Sequence, residues 1–297
     1  GVRLVGSEMC IRDSIKLARE DEAFRGEIRA FLDGSLTETL RDAARKRTSL
    51  WQDIDASMKW QRILYAKGWA APDWPVKFGG TGWSLVQRYI FAQECARAEA
   101  PALIPMSLRM CGPMLIGYGT DKQKSHYLPR ILSGEDIWCQ GYSEPSSRSD
   151  LASLQTRAVA NGDDYVVNGT KIWTSYAQHA NMMFALVRTK TDGKKQEGIS
   201  FLLIDMTTPG ITVRPIINIA GVHELNQVFF EDVRVPIVNR VGKENDGWTV
   251  AKYLLEFERF SMGSVELRRT LGRICLLYTS DAADDTPCVD LGGRRII

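Results

Sequence analysis

Two short segments hold the residue types that can do chemistry. The first is Trp138–Leu151, which reads Trp-Cys-Gln-Gly-Tyr-Ser-Glu-Pro-Ser-Ser-Arg-Ser-Asp-Leu. A large aromatic is followed by small hydroxyl residues, a proline and acids. That mix suits a loop whose main-chain amides and hydroxyls line a flat polar ring. The second segment, Lys171-Ile172-Trp173-Thr174-Ser175, begins 22 residues after Ser149 and sets another aromatic beside two hydroxyls. Alone, Ser143-Glu144-Pro145 is a common turn and Trp173 an ordinary core or interface aromatic. The specific signal is the pair in this order and at this spacing. A third segment, Leu255-Glu256-Phe257-Glu258-Arg259, offers carboxylates, but such charges on a helix usually form a solvated face worth ~0.3–0.5 kcal/mol per pair. His126, His179 and His223 are isolated, and none reads as catalytic.

The elements that must position these segments follow from periodicity and breakers. Ile15 to Ser133 reads as mostly helical, with Ala23, Phe24, Ile28, Phe31 and Leu32 at helical spacing. A helix through Ser57–Ala66 is stopped by Gly68, and Pro72–Gly82 is a loop. Ser84 caps a helix running to about Ala98. A short helix lies between Pro101 and Gly112, and Thr120 or Asp121 opens another that Gly134 ends. The pattern changes near Ile137. Short strands follow at Leu154–Val159, Tyr165–Gly169, Met182–Arg188, Gly198–Ile204, Ile211–Arg214, Gln227–Phe230 and Val233–Pro236, with turns between them. His223-Glu224-Leu225-Asn226 is expected in a loop before a strand. This spacing suggests an all-β barrel or sandwich. Helical periodicity returns from Trp248 to about Arg273. The expected class is α+β, divided into a helical domain over 15–136, a strand domain over 137–238 and the start of a second helical domain over 239–273.

Composition narrows the function. A chain of 297 residues is long enough for two domains with real cores. Its 38 basic and 36 acidic residues leave a net charge of +2, which gives no electrostatic case for nucleic acid or a membrane surface. No apolar run approaches the ~18 residues of a membrane span, and the start lacks the layout of a secretory signal. Cys10, Cys95, Cys111, Cys139, Cys275 and Cys288 form no C-x-x-C pair, so neither a metal site nor a redox dithiol is expected. Reduced thiols fit a cytoplasmic location. Gly1–Ser14 and Ile274–Ile297 lack periodicity, and the runs Ser7–Ser14 and Cys275–Asp284 resemble translated sequencing adapters. Both ends are set aside, as tags are.

Helices, then strands, then a helix, with the paired segments between, resembles the acyl-CoA dehydrogenase family. The resemblance covers about Ile15 to Arg273 and includes Phe78-Gly79-Gly80-Thr81-Gly82, the helix start at Gly119-Thr120, Tyr127-Leu128-Pro129 and Val233-Arg234-Val235-Pro236. It is nearest in flavour to bacterial members acting on dicarboxylic, branched or ring-bearing acyl-CoA. It implies an N-terminal helical domain, a middle β-barrel and a C-terminal four-helix domain, of which only the first helix falls within this chain.

The resemblance also implies FAD as cofactor. Gln140 to Ser149, Tyr142 included, would hold the isoalloxazine and pyrophosphate. Ser143 would bond the pyrimidine end of the ring, and Ser149 would lie at the pyrophosphate and near the acyl-CoA. Trp173 would pack beside the flavin, with Thr174 and Ser175 near its reactive N5. Reduced flavin carries negative charge near N1, which amide and hydroxyl donors stabilise. Arg148 departs from the family, which usually has glycine there; arginine would crowd the cofactor, pair with a phosphate, or mark a read error.

The implied reaction is α,β-dehydrogenation of an acyl-CoA thioester. A carboxylate removes the α proton, the β hydrogen leaves as hydride, and electrons pass to an electron-transfer flavoprotein. In most members the base lies on a late loop beyond the end of this chain. In some relatives it stands at the position of Glu258, and Glu256 and Arg259 match positions that contact CoA. His223–Asn226 would be structural or at the edge of the acyl pocket. An oxygen-using oxidase, a flavin monooxygenase and a non-catalytic subunit of a heteromeric dehydrogenase share these features. A homo- or hetero-oligomer is implied when the C-terminal domain is whole.

Overall fold

The computed structural model describes residues 17–47, 53–147 and 149–259, with positions 267, 269–271 and 274 beyond them. Arg148 and, apart from Ile274, both end segments lie outside the described residues.

Helices come first. α1 (Arg19–Ser35) buries Ile28 and Leu32. A short α2 (Glu38–Arg45) follows, capped by the Thr37 hydroxyl. It was not anticipated, because its only buried residues are Leu40 and Ala44. α3 (Ile54–Lys67) ends at Gly68, whose φ of +78° supplies the left-handed cap that only glycine adopts without cost. α4 (Leu85–Arg97) opens on a reciprocal capping box between Ser84 and Gln87. In the loop before it, a Cβ on Gly80 would lie 1.7 Å from the Trp74 carbonyl oxygen, so the loop closes only over a glycine.

The stretch expected to form a helix ending at Gly112 does not stop there. A π-helical turn, Met106–Cys111, runs straight into α5 (Gly112–Tyr118). Gly112 serves packing rather than termination: a Cβ there would sit 1.9 Å from the Trp74 ring. The same indole donates to the Leu108 carbonyl at 2.8 Å. α6 (Asp121–Ser133) is boxed by Thr120 and Gln123 and ended by Gly134, φ +76°.

Eight strands follow: β1 (Trp138–Gly141), β2 (Arg157–Asn161), β3 (Asp164–Lys171), β4 (Met182–Arg188), β5 (Ile199–Asp205), β6 (Ile211–Ile217), β7 (His223–Pro236) and β8 (Arg240–Val241). They form one sheet in the order β6-β7-β3-β2-β4-β5-β8, with β1 added in parallel to β4. This corrects the barrel expectation. The sheet is open, because its end strands β6 and β8 do not pair and β8 is only two residues long.

β4 and β5 read as unbroken apolar runs because both faces are covered. Phe184, Leu186, Phe201 and Leu203 face the helices, while Met183, Ala185, Leu202 and Ile204 pack within the sheet domain. Two strands expected at Gln227–Phe230 and Val233–Pro236 are one, and His223–Asn226 begins it rather than lying in a loop. The polar break at Glu231-Asp232 is a bulge: Asp232 takes φ +52° and exchanges hydrogen bonds with Asn168 at 2.9 and 3.0 Å.

α7 (Gly247–Arg259) then returns across the helical domain. Its Gly247 rests on the Ser200–Phe201 backbone, and its Tyr253 packs edge-on to Tyr118 at 5.1 Å.

Candidate functional site

β1 delivers the first loop. The Trp138 amide donates to the buried Ser107 hydroxyl at 3.1 Å, which ties the strand to the π-helical turn. Gly141 lies against β4 so closely that a Cβ would meet Met183 Sδ at 2.5 Å. Tyr142 then turns inward, its ring edge-on to Phe184 and Phe201, which stack on each other.

The second segment is stitched to that loop. The Ile172 amide donates to the Ser143 carbonyl at 2.9 Å. Lys171, fully buried, donates to the Glu144 carboxylate at 2.7 Å, the Tyr142 carbonyl at 3.2 Å and the Leu186 carbonyl at 2.7 Å. Glu144 also accepts from the Gln155 and Thr156 amides at 2.6 and 3.0 Å. Burial pushes the Glu144 pKa up, but the Lys171 charge and these hydrogen bonds outweigh it and hold the carboxyl below its ordinary value. Burial lowers the Lys171 pKa, and Glu144 offsets only part of that shift.

The remainder of the second segment is held from β7. Thr174 exchanges main-chain and side-chain hydrogen bonds with Asn226, a buried residue that also bonds Gln178 and His223. Trp173 stands out of this frame, 57% exposed at φ +61°, a conformation that bulky residues avoid. An aromatic held strained and in solvent marks a place built for contact with something else.

Three hydroxyls at this junction are buried without a hydrogen-bond partner: Tyr142 Oη, Ser147 Oγ and Thr174 Oγ1. Burial raises the Tyr142 pKa well above its ordinary value, the Glu258 carboxylate adds to the rise, and the Gln140 side chain offsets part of it.

Of the expected residues, the structure brings together Gln140, Tyr142, Ser143, Thr174 and Ser175, with Trp173 at the rim. Ser149 is exposed at the far end of the loop, and Glu256 and Glu258 are exposed on α7. Arg259 closes α7, and its side chain lies outside the described residues. Sequence reading passed over Glu144 and Lys171 as participants and placed Asn226 only in a structural stretch. An acid in the first segment and a lysine opening the second were the available sign.

Residues 18–135 match the family model of the acyl-CoA dehydrogenase N-terminal domain, and residues 139–233 that of the middle domain. This chain belongs to the acyl-CoA dehydrogenase family. Among curated members, it is 37% identical over 278 residues to acyl-CoA dehydrogenase IpdE1 of Mycobacterium tuberculosis, covering 90% of this chain and 71% of that one. It is 36% identical to acyl-CoA dehydrogenase FadE26 of the same organism, covering 95% and 70%. Among solved structures, the Tcur3481-Tcur3483 steroid ACAD superposes with a TM-score of 0.78 at 30% identity, over 92% of this chain and 70% of that one. The ChsE4-ChsE5 complex from Mycobacterium tuberculosis gives 0.74 at 35%, over 95% and 69%. The chain thus spans about 70% of the length of these acyl-CoA dehydrogenase relatives.

Proposed function

We propose that this protein binds FAD at the junction of the two loops and carries out α,β-dehydrogenation of an acyl-CoA thioester. The observation that carries the reading is the trio of buried hydroxyls, Tyr142, Ser147 and Thr174, left without partners where the loops meet. Buried polar groups of this kind cost about 1–3 kcal/mol each unless something satisfies them. A flat ring edged with acceptors fits that donor set. Ser143, Thr174 and Ser175 would hold the ring, Trp173 would cover it, and Gln140 and Ser149 would border it. FAD, when bound, supplies the acceptor for the β hydrogen as hydride.

The residues of the chain do the rest. Glu258, an exposed carboxylate on α7 that adds to the rise of the Tyr142 pKa, takes the α proton. Glu256 and Arg259 on the same helix contact the CoA portion. The steroid ACAD among the similar structures favours a ring-bearing acyl group. The ChsE4-ChsE5 complex favours a hetero-oligomer, in which this chain is either the active or the supporting subunit. Electrons pass on to an electron-transfer flavoprotein in the cytoplasm.

The test is anaerobic titration of purified protein with FAD and then with acyl-CoA. Stoichiometric yellow protein that bleaches on adding acyl-CoA is expected. Protein that stays colourless overturns the reading; in a separate aerobic assay, oxygen uptake without another acceptor assigns an oxidase instead. Glu258→Gln should keep the flavin and slow bleaching by ~10²–10⁴; unchanged bleaching places the base elsewhere.

A further inference from the structure

The buried Lys171–Glu144 pair bonds both the sheet and the first loop. Lys171 donates to the Leu186 carbonyl of β4, and Glu144 accepts from the Gln155 and Thr156 amides just before β2. The pair also reaches the first loop. All three ammonium protons are used, one of them on the Tyr142 carbonyl. The next carbonyl, of Ser143, is taken by the Ile172 amide at 2.9 Å. A trans peptide points its C=O and N–H in opposite directions. Fixing those two carbonyls therefore turns the Ser143 N–H away from the Lys171 ammonium and the Glu144 N–H away from the Ile172 amide.

We infer that Lys171 and Glu144 are positioning residues that aim the Ser143 and Glu144 N–H groups at the bound flavin, so that the pair sets flavin affinity and reduction potential. This rests on the FAD reading above. The pair touches no reacting atom; it acts through the loop peptides, whose N–H dipoles stabilise negative charge on a reduced ring.

The experiment uses the full chain with Glu144→Gln, Lys171→Met and the double variant, read by thermal unfolding without flavin, FAD dissociation constant and flavin potential. Removing one partner leaves a buried charge, so Lys171→Met should unfold at lower temperature. The double variant removes both charges, and stability should return largely to wild type. Flavin binding should not return: FAD should bind about tenfold more weakly, ~1.4 kcal/mol, with a more negative potential. Glu144→Gln, close in shape, should fold and show the same weakening. Either folded variant binding FAD with wild-type affinity and potential makes the pair a structural staple and overturns the inference. Wild-type protein that takes up no FAD instead removes the flavin reading itself.

Discussion

Asn226 grips Thr174 from both directions: its side-chain amide donates to the Thr174 carbonyl at 2.9 Å, and its own carbonyl accepts from the Thr174 amide at 3.0 Å. One residue at the start of β7 thus fixes the peptide on which the second loop turns. Asn226→Ala keeps the main-chain bond and loses the side-chain bonds to Thr174, Gln178 and His223. Several buried groups are then unpaired, and a loss of about 2–3 kcal/mol is expected in urea unfolding. Flavin affinity should fall with it. An unchanged midpoint would show that water replaces the amide.

Gly80→Ala forces a methyl onto the Trp74 carbonyl, a backbone atom that cannot swing aside. The loop must open, and Trp74 must leave Gly112 and Leu108. A destabilisation of about 3 kcal/mol or more is expected, whereas Gly162→Ala, where a Cβ meets nothing but the backbone keeps φ +65°, should cost about 1 kcal/mol. Comparing the two melting temperatures separates crowding from backbone conformation.

Trp173→Gly should not lower the stability of the flavin-free protein. The indole is 57% exposed, and glycine relieves a left-handed conformation that costs a bulky residue about 1–3 kcal/mol, enough to offset the packing lost. FAD affinity should drop while the melting temperature holds or rises. A falling melting temperature would mean that the indole packs for stability after all.

The folded-state pKa of Glu144 lies below its unfolded value of about 4.3. The unfolded chain therefore takes up this proton first as pH falls. Stability from the carboxylate is complete above that value and is lost as pH drops through the lower, folded one. Lys171 is also shifted down, so raising pH toward the ordinary lysine value removes no stability on its account. Urea midpoints should decline below about pH 4.3, and the double variant without either charge should show a shallower acid limb. Parallel limbs would remove Glu144 as the source.

Much of the helical frame was legible because its signals are local. Ser84 with Gln87, Thr120 with Gln123, and the glycines at 68 and 134 all act within a turn of their own helix. The run of helix through Gly112 was not legible, because the reason for that glycine, the Trp74 ring, is distant in sequence. Glu231-Asp232 looked like a turn because a bulge uses the same residues as one. Sheet closure was not legible either, since it depends on whether β6 and β8 meet. At the site, the loop residues were found by type and order. Their buried supports, Lys171 and Asn226, were not assigned as such, because what they do is set by partners that only the fold brings near.

Among the described residues β1 is the first strand, yet its only strand partner is β4, which begins at Met182. Synthesis runs from the N-terminus, and non-local pairings close slowly. Trp138–Gly141 must therefore wait, apolar and unpaired, while β2 and β3 are made and fold on each other. Chaperone contact and proteolysis during synthesis should concentrate on that interval. A nascent chain halted before Met182 already contains every hydroxyl of the first loop, but no rail on which to mount it.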